Sequence, residues 1–412
     1  LASIRYPDNK TRIYHYENPG FPHALTGITD ENGDRFATWS YDGAGRTTLS
    51  EHAGGANRVT VAYDPGISTV TQSISSTVSA TRTYSFQVML GSVRTLAIAG
   101  AACPGCGPAA SSFDANGFTA SRTDWNGIQT TYQRADAYGR ADLETSRTEA
   151  SGTPQARTVS TIWHPTFRLP TRITEPGRTT DLTYDALGNL LGKTVTDLAS
   201  GKSRVWTHSY SYSATTPGLV TQMIVDGPRT DVADLTTITY HPPDDPDPGK
   251  RGNLATMTNA LGHTTSITAY DPHGRPLTIV DPNGLTTQLA YDARGRLLSR
   301  SVGGETTGYA YDGVGQLTQV TLPDSSSLTY TYDAAHRLTG ITDSLGNRIV
   351  YTLDAAGNRT KEEVFDPMGA LAQTRSRVYN SLNRLAQEIG AQNQVTQYSY
   401  DNQGNITSVT DP

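Results

Sequence analysis

The sequence predicts an all-β fold, a long antiparallel sheet built from tandem β-hairpins of about 21 residues each. Three observations lead to this prediction. A motif that begins with Tyr-Asp recurs at intervals of 20 or 21 residues from Tyr270 to Leu353. The motif has the residues of a tight turn, and the residues beside it alternate between apolar and polar.

The Tyr-Asp motif has the composition of a hairpin turn. In Asp-x-x-Gly, the Asp suits the first position of a type I turn, where its carboxylate accepts from backbone N–H groups. The Gly suits a left-handed residue that closes the turn with a bulge. In Asp271-Pro272-His273-Gly274, the Pro falls at the second position, which its fixed φ favours. Each motif therefore predicts one hairpin turn.

A second and weaker set of turns lies between the Tyr-Asp turns. Removing both sets leaves about six residues per strand, which is a typical length. Leu328, Tyr330 and Tyr332 alternate with polar residues, so they are expected on one face of a strand. One repeat is thus a hairpin with a Tyr and aliphatic ladder across it. The second set of turns is Asn259–Gly262, Asp281–Gly284, Asp324–Ser327 and Asp343–Gly346.

The repeats are predicted to cover residues 1–412 as one array. They are regular over 253–412, already present over 1–63, and irregular with insertions over 64–112 and 197–252. His241–Gly249 holds four prolines, which excludes a strand interior. We expect an exposed loop between neighbouring strands there, with a domain linker as the alternative. No helix is predicted, although Thr360–Ala372 is locally permissive. The chain begins and ends within the pattern, so we expect it to be part of a longer protein.

Composition narrows the functional classes. Hydrophobic residues make up 35% of the chain, with 39 Gly, 22 Pro and 22 Tyr against 7 Phe and 4 Trp. This suits many short strands and turns better than helices. The formal net charge is −6 without a basic run, so neither nucleic acid nor an anionic membrane is expected as a partner. No apolar stretch is long enough to span a membrane, and no targeting signal is recognisable.

The repeated motif resembles that of the Rhs/YD-repeat family, Tyr-Asp-x-x-Gly-Arg-Leu. Degenerate copies at Phe113, Leu353 and Tyr379 extend the resemblance over most of the chain. The matching residues are predicted to be structural turn sites, not catalytic, cofactor or metal sites. They are Tyr41, Asp42, Gly45, Arg46, Tyr184, Asp185, Gly188, Tyr270, Asp271, Gly274, Arg275, Tyr291, Asp292, Gly295, Arg296, Tyr311, Asp312, Gly315, Tyr400, Asp401 and Gly404.

The resemblance implies a fold and a role. In that family the repeats form a continuous sheet that spirals into a hollow shell. Bacterial members commonly enclose a C-terminal toxin used against competing or host cells, and related shells occur in insecticidal toxin complexes and in teneurins. The implied partners are a C-terminal toxin of the same polypeptide and components of a secretion apparatus, and the implied location is secreted or on the cell surface. We expect the toxin, the self-cleaving segment and any delivery domain to lie outside these 412 residues.

Two motifs raise other chemistry. Cys103-Pro104-Gly105-Cys106 has no second cysteine pair to complete a zinc site and no helical flank for a redox dithiol. A structural loop, with thiols or a local disulfide, is favoured over a metal or redox site. The turn aspartates lack the spacing of calcium loops, so no cofactor is predicted.

The arginines that follow the turn Gly, at 46, 140, 275 and 296, are expected to stack in successive hairpins and to pair with turn carboxylates across neighbouring strands. A row that binds phosphate or cargo is the alternative. The nine histidines form no metal or triad pattern, so no enzyme is predicted.

We therefore predict a non-catalytic wall that encloses or presents a C-terminal effector. The alternative is an adhesion or glycan-binding surface that uses the tyrosine rows outwardly. Exposure of the tyrosine rings distinguishes the two hypotheses. In a wall most of the rings are expected to be packed, whereas an adhesive surface would expose them. Within the all-β class a β-propeller is the competitor, since two 21-residue units match one four-stranded blade. Consecutive units look equivalent, which disfavours it.

Overall fold

The computed structural model describes residues 1–412 and contains 35 β-strands and no α-helix, which confirms the all-β prediction. The first strands are β1 Ser3–Arg5, β2 Thr11–His15, β3 Gly27–Thr29, β4 Arg35–Tyr41, β5 Thr47–His52, β6 Ala56–Asp64, β7 Ile67–Ser73, β8 Ser79–Met89, β9 Ser92–Gly100, β10 Ala110–Phe113, β11 Thr119–Thr123 and β12 Gln129–Arg134. They continue with β13 Glu144–Glu149, β14 Arg157–Trp163, β15 Pro170–Glu175, β16 Arg178–Tyr184, β17 Leu190–Asp197, β18 Ser203–Tyr212, β19 Val220–Asp226, β20 Leu235–Tyr240, β21 Leu254–Thr258, β22 Thr264–Tyr270, β23 Pro276–Val280 and β24 Thr286–Tyr291. The last are β25 Leu297–Val302, β26 Glu305–Tyr311, β27 Leu317–Thr321, β28 Ser327–Tyr332, β29 Leu338–Asp343, β30 Arg348–Leu353, β31 Arg359–Phe365, β32 Leu371–Tyr379, β33 Leu385–Ile389, β34 Val395–Tyr400 and β35 Ile406–Thr410. Single 3₁₀ turns lie at Ala53–Gly55 and Pro104–Cys106.

All 35 strands belong to one antiparallel meander. Each strand pairs with its neighbours in the sequence, from β1 with β2 to β34 with β35, so the sheet is open and ends at β1 and β35. The ladder runs without a break through the two irregular stretches, 64–112 and 197–252. Strands there are longer, with 11 residues in β8 and 10 in β18, and these replace the short hairpins of the regular repeats.

The sheet is a single layer. Only 22 of the 412 residues are buried, so no second layer covers either face along its length. The two faces nevertheless differ. In β28, Tyr330 and Tyr332 are half-buried, while Thr329 and Thr331, which alternate with them, are exposed. Side-chain ladders between neighbouring strands, together with the backbone ladder, therefore supply most of the packing.

The hairpin turns form two rows along the two long sides of the sheet. Turns that connect an even-numbered strand to the next strand form one row, which we call the Tyr-Asp edge because all the Tyr-Asp turns lie in it. Turns that follow odd-numbered strands form the opposite edge, and the second, weaker set lies there. Strand direction reverses at each turn, so the two rows must alternate along the chain.

The sheet coils until it meets itself. Turn residues in the first part of the chain contact turn residues that lie 275 to 306 positions later in the sequence. The β1–β2 turn meets the β24–β25 turn, 23 strands later, and the β3–β4 turn meets the β26–β27 and β28–β29 turns, 23 and 25 strands later. We call β1–β23 the first coil, β24–β35 the second coil, and the line of contact the seam. At about 4.8 Å per strand, about 24 strands give a circumference of about 115 Å.

Three local expectations can be compared with the structure. The turn expected at Asp324–Ser327 is wrong by two residues. The turn runs from Leu322 to Ser325, because Pro323 takes its second position and Ser325 adopts the left-handed conformation at φ 71°. His241–Gly249 belongs to the folded connection between the adjacent strands β20 and β21, where Gly249 is buried. Thr360–Ala372 is helical nowhere, since it is shared by β31, a turn and β32. The chain contains no helix of a length and apolarity that would cross a membrane.

Candidate functional site: the turn edges and the seam between coils

The Asp of each Tyr-Asp turn holds the turn closed. Oδ1 of Asp271 accepts from the backbone N–H groups of His273 at 2.8 Å and Arg275 at 3.0 Å, and Gly274 adopts φ 77°. Burial tends to raise the pKa of Asp271, but these N–H groups and the Arg275 guanidinium outweigh it, so the pKa lies below its usual value. The same arrangement of Asp oxygen, backbone N–H and left-handed Gly recurs in the turns that begin at Asp42, Asp185, Asp292, Asp312 and Asp401.

Most of the tyrosines that precede a turn Asp bond to the preceding repeat. The hydroxyl of Tyr311 donates to the carbonyl oxygen of Leu297 at 3.0 Å, one hairpin back along the sheet. Burial raises the pKa of Tyr311, consistent with a hydroxyl that is held within the sheet. Equivalent bonds join Tyr41 to Leu25, Tyr184 to Pro170, Tyr270 to Leu254, Tyr332 to Leu317 and Tyr400 to Leu385. Each tyrosine thus ties two successive hairpins together.

The arginine after the turn Gly links its own turn to the next. Nε of Arg296 donates to Oδ2 of Asp292 at 2.5 Å, its Nη1 donates to the carbonyl of Asp312 at 3.1 Å, and its guanidinium lies 5.2 Å from the Tyr311 ring centre. The expected pairing with turn carboxylates is confirmed, but the partner is the carboxylate of the arginine's own turn and not one in a neighbouring hairpin. Four residues separate Asp from Arg, and this spacing puts them on the two sides of one turn. Arg46, Arg140 and Arg275 pair with their own turn carboxylates in the same way.

Charged side chains meet across the seam. Arg294 of the second coil lies 2.8 Å from the Asp8 carboxylate and 3.7 Å from the Glu31 carboxylate, both on the opposite edge of the first coil. Its guanidinium also lies 4.0 Å from the ring centre of Tyr6. The Glu31 side chain is 1% exposed and that of Arg294 is 11% exposed, so this charge cluster is shielded from water. Arg296 adds a second contact to Asp8 at 3.3 Å.

Backbone groups also bond across the seam. The N–H of Asn57 donates to the carbonyl of Ala355 at 2.7 Å, and the N–H of Ala356 donates to the carbonyl of Ile74 at 3.1 Å. Ile74 is 1% exposed and has the largest fully buried side chain of the protein. The seam is therefore sealed by main-chain bonds and by apolar burial as well as by charge.

Gly313 brings the two coils into close approach. Its N–H donates to Oδ1 of Asn32 at 3.0 Å, while Nδ2 of Asn32 donates to Oδ2 of Asp312 at 3.0 Å. A Cβ at Gly313 would lie 2.6 Å from the carbonyl oxygen of Glu31 and 2.7 Å from Oδ1 of Asn32, closer than any side chain allows. The φ of Gly313 is not positive, so contact with the other coil, not backbone conformation, requires glycine there.

His336 takes the place of glycine in its turn and reaches across the seam. It adopts φ 63°, a conformation that disfavours side chains other than glycine. Its Nε2 lies 2.6 Å from Oδ2 of Asp30, which is 2% exposed, and its ring stacks on Phe36 at 4.1 Å. Phe36 in turn stacks on His52, whose pKa is lowered by burial and by the nearby charge of His336.

Cys103 and Cys106 form a disulfide in the loop between β9 and β10. Next to this loop a cleft of about 380 Å³ is lined by Arg122, Trp125 and Tyr132 of the first coil and by Gln403 of the second.

Nearby, Nδ2 of Asn126 donates to Oδ2 of Asp401 at 3.1 Å, another contact across the seam. Hydrogen bonds from Asn405, with a smaller contribution from Asn126, lower the pKa of Asp401 to about 2. No group of three or more His, Cys, Asp or Glu side chains is arranged to hold a metal ion.

Most of the sequence-predicted turn residues make no contact across the seam. Three of them do, namely Arg296, Asp312 and Asp401. The seam itself was not anticipated. One local irregularity could have pointed to it, a histidine in the glycine position of the turn that begins at Asp333, whereas the second glycine of Asp312-Gly313-Val314-Gly315 also occurs in Asp42-Gly43-Ala44-Gly45, away from the seam. Its acidic residues, Asp8, Asp30 and Glu31, resemble ordinary turn residues, and nothing local distinguishes them.

Family models locate the repeat unambiguously. The RHS Repeat model matches residues 270–307, 311–348, 332–364 and 379–412, four positions in tandem. These matched segments are RHS repeats. They lie between the end of β22 and the end of the chain and leave out residues 365–378, and β1–β21 continue the same hairpin geometry before the matched segments. The search among curated proteins found no match.

Solved structures share the fold of these RHS repeats. The chain is similar to TcdB2-TccC3 without its hypervariable C-terminal region, with a TM-score of 0.63 at 16% identity over 91% of this chain and 21% of that one. It is also similar to the Tc holotoxin pore of Photorhabdus luminescens, with a TM-score of 0.61 at 15% identity over 98% and 23% of the two chains. A third structure, TcdB2-TccC3-TEV, gives 0.53 at 17% identity over 95% and 21%. The chain spans about a fifth of the length of these proteins, and at such identity the likeness establishes the fold.

Proposed function

We propose that this RHS-repeat chain is a non-catalytic wall that encloses or presents a C-terminal effector for delivery to competing or host cells. The observation that carries the proposal is the seam. A sheet that returns to itself after 23 or 25 strands and bonds there surrounds an interior, whereas a sheet without contacts between its coils does not. A circumference of about 115 Å corresponds to a diameter of about 37 Å between strand axes.

The tyrosines support a wall over an adhesive surface. Of the 22 tyrosines, only Tyr16, Tyr138 and Tyr212 are exposed. Of the others, Tyr270 and Tyr351 are buried and the rest are half-buried, and most of those before a turn Asp bond through the hydroxyl to the preceding repeat. A glycan platform needs accessible ring faces, because sugars stack on them. The tyrosine rows are instead used within the sheet.

The turn charges support the same reading. The Asp and Arg of the Tyr-Asp turns are paired with each other and with backbone groups, so they stabilise the edge. A row of unpaired arginines would favour a phosphate-binding surface. Likeness in fold to Tc toxin proteins, one of them described without its hypervariable C-terminal region, supports an effector that follows the repeats. A secreted or cell-surface location belongs to the same proposal.

Limited proteolysis with intact-mass measurement, on the natural polypeptide that carries these repeats and whatever follows them, tests the proposal. A downstream segment inside the wall stays associated and resists protease until the repeats unfold. The control is the same downstream segment as a free polypeptide. Digestion at the rate of the free segment would refute enclosure, and glycan binding by the repeats would then favour the adhesive alternative.

A further inference from the structure

We propose that the seam is a self-recognition interface that fixes the number of strands per coil, and hence the width of the interior. Its partner is the chain's own Tyr-Asp edge, 23 or 25 strands later. This inference does not depend on whether the interior holds an effector, since it concerns how the coil closes.

Charge complementarity determines which edge of the second coil meets the opposite edge of the first. The opposite edge of the first coil contributes carboxylates, Asp8, Asp30 and Glu31, at the points of contact. The Tyr-Asp edge of the second coil contributes the basic side chains of Arg294, Arg296 and, when protonated, His336. Like charges placed opposite each other would repel, so a coil that closed elsewhere would lose this match.

Steric fit gives the seam its register. Glu31 and Asn32 approach the second coil where Gly313 leaves room for them, and any larger residue at that turn position would collide with the Glu31 carbonyl. The neighbouring Tyr-Asp turns of the second coil have Ala293 and Ala334 at the corresponding position. A slip by one hairpin would place one of these alanines against Glu31 and Asn32. The seam therefore accepts a single alignment of the two coils.

Two amides report on the seam directly. The N–H groups of Asn57 and Ala356 are bonded only to carbonyls of the other coil, so their hydrogen exchange measures opening of the seam. Amides within hairpins, such as that of Asp42 bonded to the carbonyl of Arg46, report on the sheet itself. Comparing the two classes separates loss of the seam from loss of the fold.

The test is hydrogen exchange of the full chain carrying Gly313→Ala, with Gly43→Ala as the matched control. Gly43 occupies the same turn position in the first coil, its φ is also not positive, and a Cβ there would meet nothing within 4 Å. We expect Gly313→Ala to accelerate exchange at Asn57 and Ala356 by about tenfold or more, with hairpin amides and the Gly43→Ala chain unchanged.

A second variant keeps the result decisive. Asn32→Ala removes both side-chain bonds to the second coil, so it should accelerate hydrogen exchange at the same two amides. In a chain that carries both Asn32→Ala and Gly313→Ala, the acceleration should be less than the product of the two separate accelerations, because both substitutions act on one contact. Equal exchange in the Gly313→Ala and Gly43→Ala chains would overturn the proposal. Acceleration of hairpin amides to the same extent as the seam amides would also overturn it, since the seam would then have no separate role.

Discussion

Gly295 offers a direct test of the turn geometry. It closes the β24–β25 hairpin at φ 85°, and a Cβ there would lie 2.2 Å from Nη1 of Arg275. Gly295→Ala forces an L-residue into the left-handed region, at about 1–2 kcal/mol. It also displaces the Arg275 guanidinium from its position 4.9 Å from the Tyr291 ring, a contact worth about 0.5–1 kcal/mol at an exposed site.

These two contributions give a local destabilisation of about 1.5–3 kcal/mol. Gly295→Val should destabilise the hairpin more than Gly295→Ala does, because the β-branched side chain of valine is more restricted at positive φ. In a repeat array each unit contacts mainly its neighbours, so the loss should concentrate in β24 and β25. Hydrogen exchange of peptides from these strands should accelerate by about 10- to 100-fold, and the melting temperature should fall.

Gly43→Ala is again the matched control, because Gly43 lies in a Tyr-Asp turn without positive φ and without a neighbour to collide with. Unchanged exchange and an unchanged melting temperature in the Gly295→Ala chain would refute the turn geometry. A loss equal to that of the Gly43→Ala chain would show that alanine at any turn position destabilises the array, and that positive φ is not the cause.

Three further predictions concern the tyrosine bonds, the seam and acid stability. Tyr311→Phe should lower the free energy of unfolding by about 1 kcal/mol, since a bonded hydroxyl is lost. Tyr309→Phe, on the same strand and face, is the control, and equal losses in denaturant titrations would contradict this role. His336→Gly should relieve turn strain of about 1–2 kcal/mol. It should nevertheless accelerate hydrogen exchange at the seam, because the contact with Asp30 is lost. Slower exchange at the seam would be evidence against this role of His336. Turn aspartates such as Asp271 have folded-state pKa values below the unfolded value of about 3.9, so their stabilisation is complete above that pH and is lost as pH falls through the folded pKa. Circular dichroism should therefore show acid unfolding beginning only below about pH 4, and unfolding centred near pH 6 would contradict the assignment.

The hairpins were predictable because their determinants are local. An Asp, a Gly three residues later and alternating apolar residues are enough to specify a turn and two strands, as at Asp292 and Gly295. The Asp324 turn was misplaced because a Leu-Pro-Asp-Ser sequence offers two frames, and the left-handed residue proved to be Ser325. The fold as a whole followed from repetition of this local rule.

The seam could not be read from the sequence in the same way. Its partners are about 280 residues apart, and the small twist and bend at each strand must accumulate over 23 strands before they meet. No local pattern encodes that sum. The arginines were rightly expected to pair with turn carboxylates, but Arg296 was expected to reach across to a neighbouring strand although the carboxylate of its own turn is nearer.

The alternation of the two turn rows restricts how such a coiled sheet can change in length. The seam joins opposite rows, so the number of strands between partners must be odd, as the observed 23 and 25 are. Duplication or deletion of one 21-residue unit adds or removes two strands and keeps that number odd. Insertion of a single strand would bring the opposite edges of the two coils together and would take the arginines away from Asp8 and Glu31. Gene changes in whole repeats can therefore widen or narrow the enclosure in steps of about 10 Å of circumference, whereas changes of half a repeat would leave it unclosed.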